Sequence, residues 1–342
     1  MLAWAFRWQY DEDEQLSGGP MRLATFRARE APGPQFGALL SDGRLLALRP
    51  AALLLLPEYS LPDRYEASRV LRHAAAFLEH GEEAFALAYR LVERAEEELS
   101  NGRELRGEAG MPLVYATERV ELLPPVPQPG KIIAAGRNFA DHAAEIAGVL
   151  PEEAPSGFIK VASALVGHNA GVIYPSFTRQ LDYEIEIAAV IGRRAKNVAP
   201  EEALRHVAGY TIFNDLTARD VVADERRRGN HLLGKNFDTA GPLGPYLVTA
   251  DEIPDPGQLE MELRVNGEPR QRGNTRQMLH SFPALIAYWS RMTLYPGDII
   301  TSGTPSGVAA GRPDDAWYLR PGDVIEATVE LLGTLRNTVR LP

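Results

Sequence analysis

A proline-rich segment in the first half of the chain places the strongest limit on how this sequence can fold. Residues 122–130 read LLPPVPQPG, with four prolines and one glycine. Proline fixes φ and has no backbone N–H to donate, so neither a helix nor a central strand continues easily through such a segment. We therefore place a domain junction here. It separates a small N-terminal domain, residues 21–121, from a larger domain, residues 122–342, and residues 1–20 form an N-terminal extension.

The sequence pattern differs on the two sides of this junction. From Met21, short alternating apolar stretches flank Gly, Pro and Asp-Gly turns, which predicts a small antiparallel sheet. Residues 67–99 repeat apolar residues at spacings of three and four, as an amphipathic helix or a helix pair broken near Gly81 would. Beyond the junction, short strands and Gly/Pro turns dominate. The fold class is thus α+β, with helices in the second domain expected at 139–148, 200–206, 217–228 and 278–292.

Composition excludes several classes of function. The 342 residues include no cysteine, which removes disulfides, thiolate nucleophiles and zinc–thiolate sites. Lys and Arg number 36 against 46 Asp and Glu, a net charge of -10, so we expect no nucleic-acid partner and no anionic membrane partner. The longest apolar stretch, residues 51–56, is far shorter than the ~20 residues of a membrane span. The N-terminus lacks a secretory pattern, which favours a cytoplasmic location.

The segment LDYEIEIAAVIG, residues 181–192, is the most unusual strand candidate. Successive same-face residues of a strand lie ~6.5 to 7 Å apart, close enough for two carboxylates to share an ion. The acidic face runs into apolar Val190 and is enclosed at that end, where buried carboxylates are costly without a cation. The alternative is an edge strand with solvated carboxylates. A period of two places four residues on one face: Asp182, Glu184, Glu186 and Ala188.

Asp215 ends the predicted strand GYTIFND, where a loop fixed by a sheet commonly contributes to a site. It could complete a site with the two glutamates, or it could cap the helix that follows. Three carboxylates with open positions for water or substrate would form an all-oxygen site that suits Mg²⁺ or Mn²⁺.

Other polar groups stand out less by themselves. His142 and Glu145 are spaced i, i+3, so on a helix the carboxylate could orient the imidazole; a surface pair is the alternative. Lys235 is one of only four lysines. The turn TSGTPSGV, residues 301–308, offers hydroxyl and N–H groups for a carboxylate. We interpret the RRR run at 226–228 as a solvated face, with a secondary carboxylate-binding role as the alternative.

Taken in order, these motifs resemble the fumarylacetoacetate hydrolase family, a group of metal-dependent enzymes that act on 2-oxo acids. The resemblance runs from about residue 125 to the C-terminus, and the domain before it looks like the N-terminal domain of bacterial members. The matching segments include GRNFADHAAE (136–145), LDYEIEIAAVIGR (181–193), GYTIFNDLTARD (209–220), GKNFDTAGPLGPYLVT (234–249) and PGDIITSGTPSGV (296–308).

This resemblance implies a mixed β-roll catalytic domain, usually in a homodimer, and a small-molecule 2-oxo acid as substrate. It implies a His-Glu dyad on a mobile lid, matching His142 and Glu145, and a catalytic lysine, matching Lys235. The remaining residues fall into two groups: Glu184, Glu186 and Asp215 as ligands of Mg²⁺ or Mn²⁺, and Lys160, Arg219 and Thr304 as lining of the substrate pocket.

The expected activity is metal-dependent hydrolysis of a C–C bond in an acylpyruvate or fumarylacetoacetate-type 2-oxo acid, as in aromatic catabolism. A 2-oxo acid chelates a metal, and the Lewis acid stabilises the negative charge that develops when the bond breaks. The same site also suits an isomerase or decarboxylase of a 2-hydroxymuconate-like diacid or of oxaloacetate. A non-catalytic 2-oxo acid binding protein is a third possibility, although retention of His142, Glu145 and Lys235 favours an enzyme.

Three positions depart from the family pattern. Phe139 stands where relatives often have Tyr, and Val221 and Val222 stand where a Gln is common. Because both changes remove polar groups near the expected pocket, they predict a substrate that is less polar than a dicarboxylic oxo acid, or one that is held differently.

Overall fold

The computed structural model describes residues 20–147 and 153–342. Apart from Pro20, the expected extension at residues 1–20 lies outside the described residues. Short strands precede and follow a group of four helices in the N-terminal part of the chain. The elements are β1 (Arg22–Arg27), β2 (Gln35–Leu39), β3 (Leu45–Ala47), α1 (Leu48–Leu54), α2 (Leu61–Val70), α3 (Ala74–Glu79), α4 (Gly81–Ser100), β4 (Val114–Tyr115) and β5 (Glu121–Leu123).

The helical segment breaks in two places rather than one. The predicted break near Gly81 is confirmed, since α4 begins there and Gly81 has a φ of 54°. A further break separates α2 from α3, where the chain is extended at His73 and the His73 side chain accepts a hydrogen bond from the N–H of Ala76. The periodicity continues across this second break, which explains why the sequence pattern does not mark it.

The remaining elements are mostly strands. They form the larger part of the chain and contribute all of the site described below. These elements are β6 (Ile132–Gly136), α5 (Ala140–Ala147), β7 (Ser156–Lys160), β8 (Leu165–Val166), β9 (Gly171–Ile173), β10 (Leu181–Asp182), β11 (Ile185–Ile191), β12 (Val207–Asn214), β13 (Thr217–Ala218), α6 (Arg219–Arg227), α7 (Leu233–Asn236), β14 (Gly241–Thr249), β15 (Glu260–Val265), β16 (Glu268–Asn274), α8 (Phe282–Trp289), β17 (Ile299–Thr301), β18 (Val324–Val329) and β19 (Gly333–Arg340).

The helices of this part match the sequence expectations with two differences. Helices α5, α6 and α8 lie within the predicted stretches, and residue 148 of the first stretch is outside the described residues. The short helix α7 was not predicted, and the stretch at 200–206 is a 3₁₀ helix rather than an α-helix. The predicted α+β class is confirmed.

Within the described residues, the strands form three sheets. A twelve-stranded sheet has the order β4-β3-β2-β1-β14-β12-β11-β17-β6-β7, with β5 paired to β1 and β8 paired to β14. A five-stranded sheet has the order β16-β15-β18-β19-β9, and β10 pairs with β13. Most pairs are antiparallel, but three are parallel: β17 with β6, β19 with β9 and β14 with β8. The sheets are therefore mixed.

Strand β11 lies inside the large sheet. It pairs with β12 on one side and with β17 on the other, and every residue from Ile185 to Ile191 is buried. The alternative of an edge strand with solvated carboxylates is therefore wrong. The large sheet also spans the proline-rich segment, because β1 pairs with β14. The division of the chain at residue 122 stays a prediction.

The two faces of β11 enter different cores. Ile187 and Ala189 belong to the core of the larger part, together with residues of the five-stranded sheet. Ala188 and Val190, which continue the acidic face, pack in one cluster with residues of α1, α3 and α4. The N-terminal helices thus cover the apolar continuation of the face that carries Glu186. No helix in the described ranges is both long and apolar enough to span a bilayer.

The buried carboxylate of Asp298 connects the starts of two neighbouring strands of the large sheet, β17 and β6. Asp298 precedes β17 and is 1% exposed. Its carboxylate accepts hydrogen bonds from the N–H of Lys131 at 3.0 Å and of Tyr295 at 2.7 Å, and it forms an ion pair with the Lys131 ammonium group. Because Lys131 precedes β6, this one carboxylate fixes the start of the parallel pair β17 and β6.

We predict that Asp298→Ala lowers the free energy of unfolding by roughly 2–4 kcal/mol, because it leaves buried N–H groups and a partly buried ammonium group without their acceptor. Urea denaturation followed by circular dichroism measures the change. The exposed Asp251→Ala is the control and should shift stability by less than about 0.5 kcal/mol. Equal losses in the two variants would contradict this role for Asp298.

Candidate active site and metal centre

Three carboxylates converge where β11 and β12 meet. Glu186 lies on β11, Glu184 immediately precedes β11, and Asp215 immediately follows β12. Register brings the last two together, because the Asp215 N–H donates to the Glu184 carbonyl at 2.9 Å and the Glu184 N–H donates to the Asn214 side chain at 3.0 Å. One oxygen of each carboxylate lies within 4.8 Å of the others, and all three residues are buried. The structure thus brings the three predicted metal ligands together.

Two lysines partly neutralise this cluster. The Lys235 ammonium group donates to Glu184 at 2.8 Å and to Asp215 at 2.6 Å. Burial opposes the charge of Lys235, but Asp215 and Glu184 outweigh it and hold the pKa of Lys235 above its ordinary value. Lys160 donates to the other oxygen of Asp215 at 2.6 Å. Burial dominates there and holds the pKa of Lys160 below its ordinary value, although Asp215 opposes the shift.

The two glutamates differ in electrostatic environment. Burial raises the pKa of Glu184, but Lys235 and Arg219 outweigh burial and hold it well below its usual range. By contrast, burial, together with Asp215 and Glu184, raises the pKa of Glu186 well above its usual range. Within the described residues Glu186 forms no ion pair, although the N–H of Gly303 donates to its carboxylate at 3.3 Å. A cation held by the three oxygens would offset the remaining negative charge, so this donor set fits a hard divalent ion.

Asp182 shares the acidic face of the strand but has a different partner set. Its carboxylate accepts hydrogen bonds from the N–H groups of Ala309 at 2.8 Å and Ala310 at 3.1 Å. Arg219 donates to Asp182 at 2.7 Å and to Glu184 at 2.5 Å. Asp182 therefore orients Arg219 and anchors the 309–310 turn, and it is not part of the carboxylate cluster.

The helix-capping alternative for Asp215 is wrong. Helix α6 begins at Arg219, its N-cap residue is Ala218, and no side chain accepts a hydrogen bond there. Both carboxylate oxygens of Asp215 instead accept hydrogen bonds from the two lysines.

The predicted His-Glu pair lies on α5, facing the cluster. His142 is 5% exposed, and its Nδ1 lies 3.8 Å from Glu145 Oε2, an ion-pair distance but too long for a hydrogen bond. The Glu145 carboxylate accepts from the N–H of Gly307 at 3.0 Å, and Ser306 donates to Asp141 of the same helix at 2.8 Å. Within the described residues, His142 Nδ1 has no hydrogen-bond partner.

The turn at 301–308 supports this helix and requires glycine. Gly307 has a φ of 105°, and a Cβ there would lie 2.2 Å from the carbonyl oxygen of Arg270. The Thr304 hydroxyl donates to the Ile185 carbonyl and accepts from Gln271, both at 2.8 Å. Thr304 thus attaches the turn to the start of β11.

A cavity of about 370 Å³ adjoins these groups. Three of the predicted residues do not line this cavity: Glu145, Lys160 and Asp215. Lys160, which was expected to line the substrate pocket, instead supports Asp215 through a hydrogen bond. The other predicted residues line the cavity: His142, Glu184, Glu186, Arg219, Lys235 and Thr304.

Sequence reasoning missed part of the cavity wall. Arg137, Arg226 and His231 also line the cavity. All three arginines of the RRR run are exposed, as expected of a solvated face, but the first also borders the cavity, while the other two pair with Asp224. The run itself was the only sequence signal for Arg226.

The three departures from the family pattern lie elsewhere. Phe139 is fully buried in the core, and Val222 packs against Gly234. None of the three residues, Phe139, Val221 and Val222, lines the cavity. They therefore give no support for a substrate that is less polar than a dicarboxylic oxo acid.

Comparison with known sequences places this site among enzymes. The mitochondrial oxaloacetate tautomerase FAHD2A of Homo sapiens is 37% identical over 325 residues, 93% of this chain and 91% of that protein. The 2,4-didehydro-3-deoxy-L-rhamnonate hydrolase of Sphingomonas sp. (strain SKA58) is 43% identical over 233 residues, 68% of this chain and 80% of that protein.

Solved structures agree with the sequence comparison. The maleylpyruvate hydrolase of Sphingobium sp. SYK-6, in complex with manganese(II) ion and pyruvate, superposes with a TM-score of 0.66 at 29% identity, covering 94% of this chain and 99% of that one. The family model described as fumarylacetoacetate (FAA) hydrolase C-terminal matches residues 131–340. With that match over more than half of its length, the chain belongs to the fumarylacetoacetate hydrolase family.

Proposed function

We propose that this chain is a divalent-metal-dependent tautomerase that moves a proton between the C3 carbon and the keto oxygen of a short 2-oxo acid. One observation carries the proposal. The His142 imidazole, with no hydrogen bond to Nδ1 in the described chain, borders a cavity whose wall also holds Glu184, Glu186 and Lys235. A base beside a chelating site is the arrangement that proton transfer next to a ketone requires.

The carboxylates of Glu184, Glu186 and Asp215 would hold the metal, with Mg²⁺ and Mn²⁺ as the ions that suit three oxygen donors and open positions. When bound, such an ion supplies a Lewis acid that polarises the keto group of a chelated 2-oxo acid.

Three side chains have separate roles in the proton transfer. His142 accepts the C3 proton and can return it to oxygen, so the reaction moves one proton and breaks no C–C bond. Glu145 orients the imidazole, because its carboxylate lies 3.8 Å from Nδ1 and is itself fixed by the N–H of Gly307. Lys235 lines the cavity and places its positive charge beside the oxygen on which negative charge develops.

C–C hydrolysis, the activity expected from the sequence, is the second candidate. Tautomerisation now comes first, since the FAHD2A protein, a tautomerase by name, aligns over nearly the whole chain, whereas the rhamnonate hydrolase aligns over two thirds of it. The spacing of His142 and Glu145 is equally compatible with the second candidate, because such a pair can also take a proton from water. A non-catalytic binding protein would need the carboxylates but not this pair.

Three properties implied by the family resemblance or the sequence stay part of this proposal. They are a homodimer, a cytoplasmic location and a small-molecule substrate without nucleic-acid or membrane partners. Light scattering of the purified chain tests the first of them.

A substrate panel with product identification tests the reaction. Enol-oxaloacetate, acetylpyruvate, fumarylpyruvate and 5-carboxymethyl-2-hydroxymuconate are followed by ultraviolet absorbance, with Mg²⁺ and after EDTA, and products are separated by chromatography. Metal-dependent loss of enol absorbance with oxaloacetate recovered intact supports a tautomerase. Release of two shorter acids from an acylpyruvate supports hydrolysis instead, and no metal-dependent change with any compound would contradict both.

We predict that Glu186→Ala weakens Mn²⁺ binding by at least about a hundredfold, because two carboxylates cannot replace the three-oxygen donor set. Isothermal titration calorimetry measures the affinity. Mn²⁺ should raise the Tm of the wild type and leave that of the variant unchanged, since only an ion that binds the folded state stabilises it. The exposed Glu268→Ala is the control and should bind as the wild type does. Unchanged affinity in Glu186→Ala would exclude this metal centre.

We predict that His142→Ala lowers kcat by about 10²- to 10⁴-fold, the usual contribution of a positioned acid-base group. Oxalate, which needs only the metal to bind, should keep its affinity within about twofold because the carboxylates are intact. Stopped-flow kinetics and calorimetry measure the two quantities. His80→Ala, on an exposed residue of the N-terminal part, is the control. If His142→Ala retained most of its kcat, the assignment of the base would be wrong.

A further inference from the structure

The segment that joins α6 to α7 forms part of the cavity wall. Arg226, in the last turn of α6, lines the cavity, and so does His231, just before α7. The His231 ring stacks on Phe158 with centroids 4.6 Å apart, and its Nε2 is buried without a hydrogen-bond partner among the described residues. Two nitrogen-bearing side chains therefore face a space into which the carboxylate cluster also opens.

A buried glutamate fixes this segment. The Glu225 carboxylate, on a residue that is 5% exposed, accepts hydrogen bonds from the N–H groups of Leu232 at 3.0 Å, Leu233 at 2.6 Å and Gly234 at 3.2 Å. The N–H of Asn230 also donates to the Glu225 carbonyl at 3.0 Å. Because backbone N–H groups on both sides of His231 donate hydrogen bonds to Glu225, the backbone next to Arg226 is held in place.

Arg226 differs from the two arginines that follow it. All three arginines are exposed, but Arg227 and Arg228 form ion pairs with Asp224. Within residues 20–147 and 153–342, no carboxylate lies at ion-pair distance from Arg226. A guanidinium group at the edge of a cavity without an acidic partner is suited to an anionic ligand.

The other cations near the carboxylates are already engaged. Lys235 and Lys160 donate to the cluster, and Arg219 donates to Asp182 and Glu184. Arg226 lies near Arg219 and Arg137, and partial burial together with these two neighbouring charges holds the pKa of Arg226 below its ordinary value. An anion at this position would relieve the repulsion among the three guanidinium groups.

We propose that Arg226 binds a second carboxylate of the substrate, with the His231 side chain forming the adjacent wall, so that the enzyme prefers 2-oxo dicarboxylic acids to 2-oxo monocarboxylic acids. This inference rests on the proposed function, because the first carboxylate and the keto oxygen must occupy the metal site. Arg226 is a specificity-determining residue in this arrangement, and it takes no part in the proton transfer.

A matched pair of stable ligands tests the proposal. 2-Oxoglutarate and 2-oxopentanoate have the same chain length and differ in carrying a carboxylate or a methyl group at the far end. Calorimetry in Mg²⁺ should show that the wild type binds 2-oxoglutarate at least about tenfold more tightly, the effect of one charge-assisted hydrogen-bonded pair. Arg226→Gln should reduce the ratio to about twofold or less, and Arg226→Lys should restore part of it. Arg227→Gln, which removes the same charge one residue along, should keep the full ratio.

The outcomes separate this inference from the function on which it rests. Binding of both ligands without preference in the wild type, or an unchanged ratio in Arg226→Gln, would overturn the second-carboxylate site and leave the proposed function standing. Failure of both ligands and of oxalate to bind in Mg²⁺ would overturn the proposed function, and this inference with it. A similar loss of preference in Arg227→Gln would show that only general surface charge is at work.

Discussion

The packing of the elements around the start of β11 depends on the carboxylates that are buried there. Removing several like charges from water costs a large free energy unless cationic groups lie within contact distance. Lys160, Lys235 and Arg219 supply three such contacts, and each comes from a different part of the chain. The packing of β7, α6 and α7 around β11 is thus tied to charge neutralisation as much as to apolar burial. Glu186 forms no ion pair within the described residues, and burial together with Asp215 and Glu184 raises its pKa.

Local sequence spacing identified the centre of the site but not its boundary. Strand periodicity grouped Glu184 with Glu186, and helical spacing grouped His142 with Glu145, because these relations depend only on backbone geometry. The same periodicity also included Asp182, whose carboxylate is instead occupied by the N–H groups of a turn more than a hundred residues later. No local pattern reports such a partner.

The RRR run shows a second limit of the same kind. Its three arginines are indistinguishable in sequence, yet Asp224 pairs with the last two and the first borders the cavity. The difference depends on where α6 ends and on the hydrogen bonds of Glu225 to the start of α7. The α+β class, by contrast, follows from strand and turn patterns that recur along the whole second part of the chain. It therefore does not depend on whether one stretch, such as 200–206, is an α-helix or a 3₁₀ helix.

The face of β11 that carries Glu186 continues through Ala188 and Val190 into the helices of the N-terminal part. Those helices contribute no side chain to the cavity, yet they share one apolar cluster with the strand that carries Glu186. Electrostatic interactions strengthen as water is excluded, so the electrostatics of the proposed metal site depend in part on residues that do not line the cavity. Looser packing among α1, α3 and α4 would admit water beside the strand and weaken those interactions while leaving every side chain of the cavity wall in place.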